Sequence, residues 1–242
     1  PLAIWLIAVT DVRTSFLISA IAGVAALVSG GMVRDSHAPS VLRHVGPWWR
    51  RSWVSRTAFL PGLVFLSVTA PYGAVQAFLL QFADERALTN PGLFYTVVAV
   101  AQVAARGSVG ALVDRVRPIM TIVPALIFGA IGLVLLSSVH SQTTLMVSGL
   151  LYGLGLASTQ TSIVALVVGR VTPRSLGAAM ATYTMAWDVG LVLGGVIFGF
   201  VVDATSPATA FAMMSVLPLL GAALFITRVA REPEPATEAA AA

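Results

Sequence analysis

The chain has no lysine and no cysteine, and only 10% of its 242 residues are charged. Each shortage removes a class of protein. Without a thiol there is neither a disulfide framework nor a cysteine nucleophile. Without lysine there is no Schiff-base amine, which rules out a retinal-type pigment. A soluble domain carries about a quarter charged residues, and this chain, 57% hydrophobic with a mean hydropathy of +0.91, lies far outside that range. No soluble fold of this size has an interior large enough to hide so much apolar surface. A Gly-Lys-Ser/Thr phosphate loop is missing, so the chain does not itself drive work with ATP. No other enzyme motif takes its place, and the chain does not read as an enzyme. The period-two alternation of a membrane barrel is missing as well.

What is present is a series of apolar runs. They cover roughly 14–33, 57–82, 92–113, 118–139, 143–169, 176–202 and 207–229, each long enough to cross a hydrocarbon core as a helix. Backbone groups in lipid must be satisfied within the segment, so these runs read as seven complete helical spans. Residues 1–9, "PLAIWLIAV", read as the tail of an eighth, and the chain, opening at Pro1, as a fragment of a longer membrane protein. The expected fold is an all-α multi-span helical bundle.

All 14 positive charges are arginine, and their distribution sets an orientation. Arg34, Arg43, Arg50, Arg51 and Arg56 lie in the first long connection. Arg115 and Arg117, Arg170 and Arg174, and Arg228 and Arg231 lie at every second connection after it. Arg13 and Arg86 fall on the other side, and Arg106 within a span. Positive residues stay cytoplasmic, so the linker and the C-terminus are expected inside. The net charge of +4 therefore reports topology, and no nucleic-acid partner is implied. The linker "PWWRRSW", with Trp48, Trp49 and Trp53 beside Arg50 and Arg51, suits the headgroup layer. His37, His44 and His140 have no second ligand at metal spacing, so neither a metal nor a cofactor is expected. The tail "REPEPATEAAAA" is too polar and proline-broken to pack and reads as disordered.

An internal repeat is also visible. A shift of 195 residues lays Thr10, Thr14 and Phe16 on Thr205, Thr209 and Phe211; duplicated halves are a transporter architecture.

The stretch "RGSVGALVDRVRP" at 106–118 resembles the cytoplasmic loop motif of the major facilitator superfamily, Gly-x-Leu-x-Asp-Arg followed by basic residues. "ERALTNPGLFYTV" resembles the start of that family's eighth span. "GLLYGLGLASTQTSIVALVVGRVTPRSLGAAMATYTMAWDVGLVLGG" resembles its tenth and eleventh, and Pro1 falls where its fifth span has a Gly-Pro motif. Two departures count: the glycine usual shortly after Asp-Arg is missing, and the basic pair is reduced to Arg117 before Pro118. The resemblance implies a C-terminal six-helix half plus part of the N-terminal half. Residues 1–33 would end the N-terminal half, 34–56 would be the cytoplasmic linker, 57–230 the six-helix bundle and 231–242 the tail. It also implies a conformational latch of Gly110, Asp114 and Arg115 that closes the cytoplasmic side and breaks when the bundle rocks. Small Gly107, Ser108, Gly110 and Ala111 would let a neighbouring helix approach.

Asp188 lies about 18 Å into its span. An acid at that depth faces the bundle interior or water and is a functional candidate; it is the candidate for proton coupling, with a hydrogen bond to Thr184 as the structural alternative. Tyr72, Gln76, Gln102, Gln160 and Tyr183 are candidate cavity-lining residues, because an unsatisfied amide in lipid is expensive. In the polar run Ser158 to Ser162, hydroxyls can return to the carbonyl one turn back. Arg106 is a candidate structural charge, with snorkelling to the interface as the alternative. Spans 118–139 and 207–229 carry few strong polar groups and read as outer, lipid-facing helices. Gly190, Gly194, Gly195 and Gly199 read as a tight packing face.

The expected function is secondary active transport, with proton-coupled export of small organic molecules across the plasma membrane. Its partners would be the lipid bilayer, a small-molecule substrate, protons and the missing N-terminal half. A transporter-like sensor or a seven-helix receptor that binds without transport is the alternative.

Overall fold

The computed structural model describes residues 12–32, 55–113, 115–173 and 175–231. The partial span 1–9, most of the linker with its tryptophans and His37 and His44, Asp114, Arg174 and the tail 232–242 lie outside the described residues. The chain divides into two compact units, Pro1–Arg51 and Ser52–Ala242. Among its described residues the first contains the helix α1, Val12–Gly31.

The second unit contains α2 (Arg56–Glu85), α3 (Gly92–Val113), α4 (Pro118–Ser137), α5 (Gln142–Gly169), α6 (Leu176–Ala204), α7 (Pro207–Met214) and α8 (Val216–Thr227). A short 3-10 turn, Val229–Arg231, closes it. Six stretches of this unit are long and apolar enough to cross a membrane, α7, α8 and the closing turn counting as one.

Local signals place the boundaries. Ser55, Ser141 and Ser206 cap α2, α5 and α7, each accepting a hydrogen bond from the backbone N–H three residues on. Pro118 and Pro207 open α4 and α7 at a position where a missing N–H costs nothing. The expected single span over 207–229 is instead two helices broken at Ser215. Pro218 has no N–H for the Met214 carbonyl and its ring crowds that carbonyl, which interrupts the ladder there. The buried Ser215 hydroxyl donates to the Ala212 carbonyl at 2.6 Å.

Helix α2 packs most extensively against α6, and α5 packs against both α4 and α3. The α2–α6 crossing is set by glycine. A Cβ on Gly194 would run into the backbone of Ala70, and one on Gly190 into the Thr69 side chain. Gly195 and Gly199 leave ordinary contact distances and do not set the spacing, so the expected packing face is narrower than the glycine pattern. Thr69 adds a hydrogen bond from its Oγ1 to the Ala186 carbonyl at 3.4 Å.

Helix α4 and the 207–229 span, expected as outer helices, each present an exposed apolar face beside a buried one. One face of α4, including Ile122, Leu126 and Leu133, is fully buried, while Phe128, Ile131 and Val134 on the other are exposed. Low polarity marks a helix that touches lipid on one side and apolar neighbours on the other; it does not by itself put the helix outside. Helices α3 and α6, which carry the polar candidates, are the least buried in the unit.

The connections sort onto two ends. At one, Arg170 donates to the Val229 carbonyl at 2.9 Å, and a cavity of about 500 Å³ brings Arg117, Arg170 and Ala230 together. At the other, Arg86 donates to the Val139 carbonyl and contacts His140, while Asn90 and Gln142 exchange hydrogen bonds. The connections of this unit that carry Arg117, Arg170 and the 228–231 arginines therefore share an end. Since the chain has no native cysteine, Arg117→Cys and His140→Cys can each carry a unique label. An impermeant thiol reagent is expected to modify them from opposite sides of the membrane; modification from one side would overturn the topology.

Candidate functional site

Three polar side chains from three helices meet at one depth. Arg106 lies seven residues before the end of α3, Gln160 nine before the end of α5, and Tyr183 seven after the start of α6. At 1.5 Å per residue, all three sit roughly 10–14 Å from the arginine-rich end, inside the membrane. An Arg106 Nη2 donates to Gln160 Oε1 at 3.1 Å, joining α3 to α5. Arg106 itself is exposed and uses one donor on a neighbouring helix. Gln160 and Arg106 both act on the Tyr183 phenol, yet its buried hydroxyl makes no hydrogen bond of good geometry.

Aromatic rings continue the site. Tyr183 stacks on Phe65 with centroids 4.5 Å apart, Phe65 on Trp187 at 5.7 Å, and Trp187 tilts against Tyr72 at 5.5 Å. Gln76 donates to the Tyr72 hydroxyl at 3.1 Å, one turn away on α2. Tyr95 reaches from α3 to the Val75 carbonyl at 3.4 Å, and the buried Tyr152 to Val68 at 3.2 Å. Phe65 and Trp187 carried no expectation from sequence. The spacing of Tyr183 and Trp187, one turn apart on the same face, is the signal that locates them.

Gln102 lies one turn before Arg106 on α3 and is half-buried, without a hydrogen bond to another described residue. Asp188 is five residues past Tyr183, so it projects about 140° around α6 from it. It is exposed, and no hydrogen bond or ion pair holds it among the described residues. The alternative partner is taken: Thr184 Oγ1 donates to the Met180 carbonyl at 3.0 Å. Asp188 therefore belongs to a different face from the Arg106–Gln160–Tyr183 group.

The polar run on α5 departs from the expected back-bonding. Elsewhere Ser67, Thr121, Ser148 and Thr182 return their hydroxyls to the preceding turn. Thr159 Oγ1 and Ser162 Oγ are buried with no partner.

Of the residues expected to form the latch, Asp114 lies outside the described residues, Arg115 is exposed and Gly110 is half-buried. A Cβ on Gly107 or Gly110 would meet nothing within 4 Å. The close approach that these small residues permit is not made by the helices of this unit.

Two overlapping stretches, residues 1–167 and 92–242, match the family model of the Major Facilitator Superfamily. The chain belongs to the Major Facilitator Superfamily. It is 26% identical to the uncharacterized MFS-type transporter YhhS of Salmonella typhi over 186 residues, covering 76% of this chain and 45% of that protein. An uncharacterized MFS-type transporter of Yersinia pestis is 25% identical over 194 residues, 79% of this chain and 49% of its own. A third, from Methanocaldococcus jannaschii, is 23% identical over 159 residues, 65% and 41% of the two chains. The chain spans less than half the length of these curated relatives. Membership in the superfamily agrees with the six membrane-length helices and with the resemblance carried by the 106–118 stretch.

Proposed function

We propose that this major facilitator superfamily chain supplies one substrate-binding half of a secondary active transporter, and that the complete protein exports small organic molecules in exchange for protons. The observation that carries the reading is the Arg106–Gln160 hydrogen bond, with the unpartnered Tyr183 hydroxyl beside it, at membrane depth. Polar groups are kept there only where they face a cavity or one another, and these are drawn from three helices, so relative motion of the helices would alter the site. The chain counts as the end of span five through span twelve, with the C-terminus and the arginine-rich end cytoplasmic in the plasma membrane. Exposed Asp188 is the candidate proton carrier.

Gly110, Asp114 and Arg115 are proposed as the cytoplasmic latch. The open space over Gly107 and Gly110 supports this, because it leaves room for a helix from the other half of the transporter to close on α3.

The test is flux. The complete transporter containing this chain, reconstituted in vesicles, is expected to move substrate under an imposed pH gradient. Asp114→Asn, which keeps shape and removes charge, should lower that flux about tenfold or more, the loss that follows from one charged contact of 1.5–3 kcal/mol, with little loss of folded protein. Unchanged turnover would reduce Asp114 to a headgroup anchor. Ligand binding without any flux would favour a sensor.

A further inference from the structure

We propose that Arg106, Gln160 and Tyr183 form a recognition site for the anionic group of an amphipathic organic substrate, whose apolar body lies against the half-buried rings of Trp187 and Tyr72. The inference deepens the transporter reading and rests on it for the site's role.

A guanidinium carries five N–H donors, accepts nothing and stays charged. Arg106 engages the Gln160 amide oxygen, and no carboxylate answers it among the described residues. With its oxygen on Arg106, the Gln160 amide has its NH2 as the remaining donor, on the side of the Tyr183 hydroxyl. The Tyr183 hydroxyl, on a residue only 7% exposed, adds a third donor beside that amide and makes no hydrogen bond of good geometry. Three donor groups, one of them cationic, thus converge with their only acceptor amide already engaged. That set suits a carboxylate or sulfonate and repels an ammonium.

The apolar half of the ligand follows from what borders the donors. Fully buried Phe65 backs the stack, 4.5 Å from Tyr183 and 5.7 Å from Trp187, which leaves half-buried Trp187 and Tyr72 as the rings that can meet a ligand. An acid head at Arg106 therefore places a ring or alkyl body against aromatic faces about one helical turn away. Asp188 does not compete for that position, because it projects from another side of α6.

The test uses three matched probes, 2-naphthoate, 2-naphthamide and 2-naphthylmethylamine, in equilibrium binding to the complete transporter in detergent. Naphthoate is expected to bind about tenfold or more tighter than the amide, the scale of one charge-assisted hydrogen bond, and the amine weakest. Arg106→Gln should erase the difference between naphthoate and amide while leaving amide binding in place. Tyr183→Phe removes a donor without removing charge and should weaken naphthoate alone, which keeps the proposal testable if Arg106→Gln does not fold. Naphthoate that binds no better than the amide in the wild type, including no binding by either, would overturn the proposal. So would a naphthoate preference that survives Arg106→Gln. The two readings fail separately. Anion-selective binding without flux would sink the transporter reading and keep this site, whereas flux indifferent to charge would do the reverse.

Discussion

Gly194→Leu is expected to leave almost no folded protein. Gly194 lies where α6 crosses α2, and even a methyl group there would meet the Ala70 backbone. Backbone cannot move aside as a flexible side chain can, so the helices must separate. That separation would unseat Gly190 from Thr69 and pull Tyr183 and Trp187 away from Phe65. Overpacking a core typically costs 1–3 kcal/mol; against a main chain, and with a leucine side chain, about 3 kcal/mol or more is expected, a large share of a marginal total. Thermal unfolding and size-exclusion of the complete transporter in detergent measure the effect. Gly177→Ala is the control, because nothing lies within 4 Å of its Cβ; it should be neutral or gain a few tenths of a kcal/mol from better helix propensity. Normal yield and thermal midpoint for Gly194→Leu would contradict the crossing.

The second large effect is expected on function. Asp188→Asn should abolish flux driven by a pH gradient, because an amide cannot load and release a proton. Fold and ligand binding should survive, since Asp188 is exposed and makes no hydrogen bond to a described residue. Its position around α6 supports the assignment. Thr184 and Asp188 share a stripe with the small residues Gly177, Ala181 and Gly195, whereas Met185, Val192, Val196 and Phe200, all exposed, form an adjacent apolar face suited to lipid. An acid on a small, polar stripe can face water; one on the apolar face would face hydrocarbon. The measurement is flux under an imposed gradient beside equilibrium binding. Full gradient-driven flux in the Asn variant would falsify the coupling role, and loss of binding together with flux would make Asp188 part of the substrate site.

The six spans of residues 56–231 and many of their boundaries were legible in the chain because they depend on local chemistry. Apolar runs of membrane length must be helical, since lipid offers the backbone no other partners. Ser55, Ser141 and Ser206 cap helices with their own side chains, and Pro118 and Pro207 start them. Arginine at alternate connections marks one end without reference to any contact. The 106–118 stretch carried the family for the same reason: a loop motif is contiguous.

What depends on which helix faces which was settled only by the tertiary structure. Tyr72, Gln76, Gln160, Tyr183, Arg106 and Asp188 all look alike as polar interruptions of apolar spans. Packing joins Arg106 to Gln160 across two helices, puts the Tyr183 ring on Phe65, and turns Asp188 to another side. Of the five glycines in α6, only Gly190 and Gly194 are pressed against α2, a distinction their spacing does not reveal. In a soluble protein the hydrophobic pattern tells inside from outside. In lipid both sides of a helix are apolar, so sequence by itself determined that these segments span and where they end, and only the packed bundle decided which polar groups share a site.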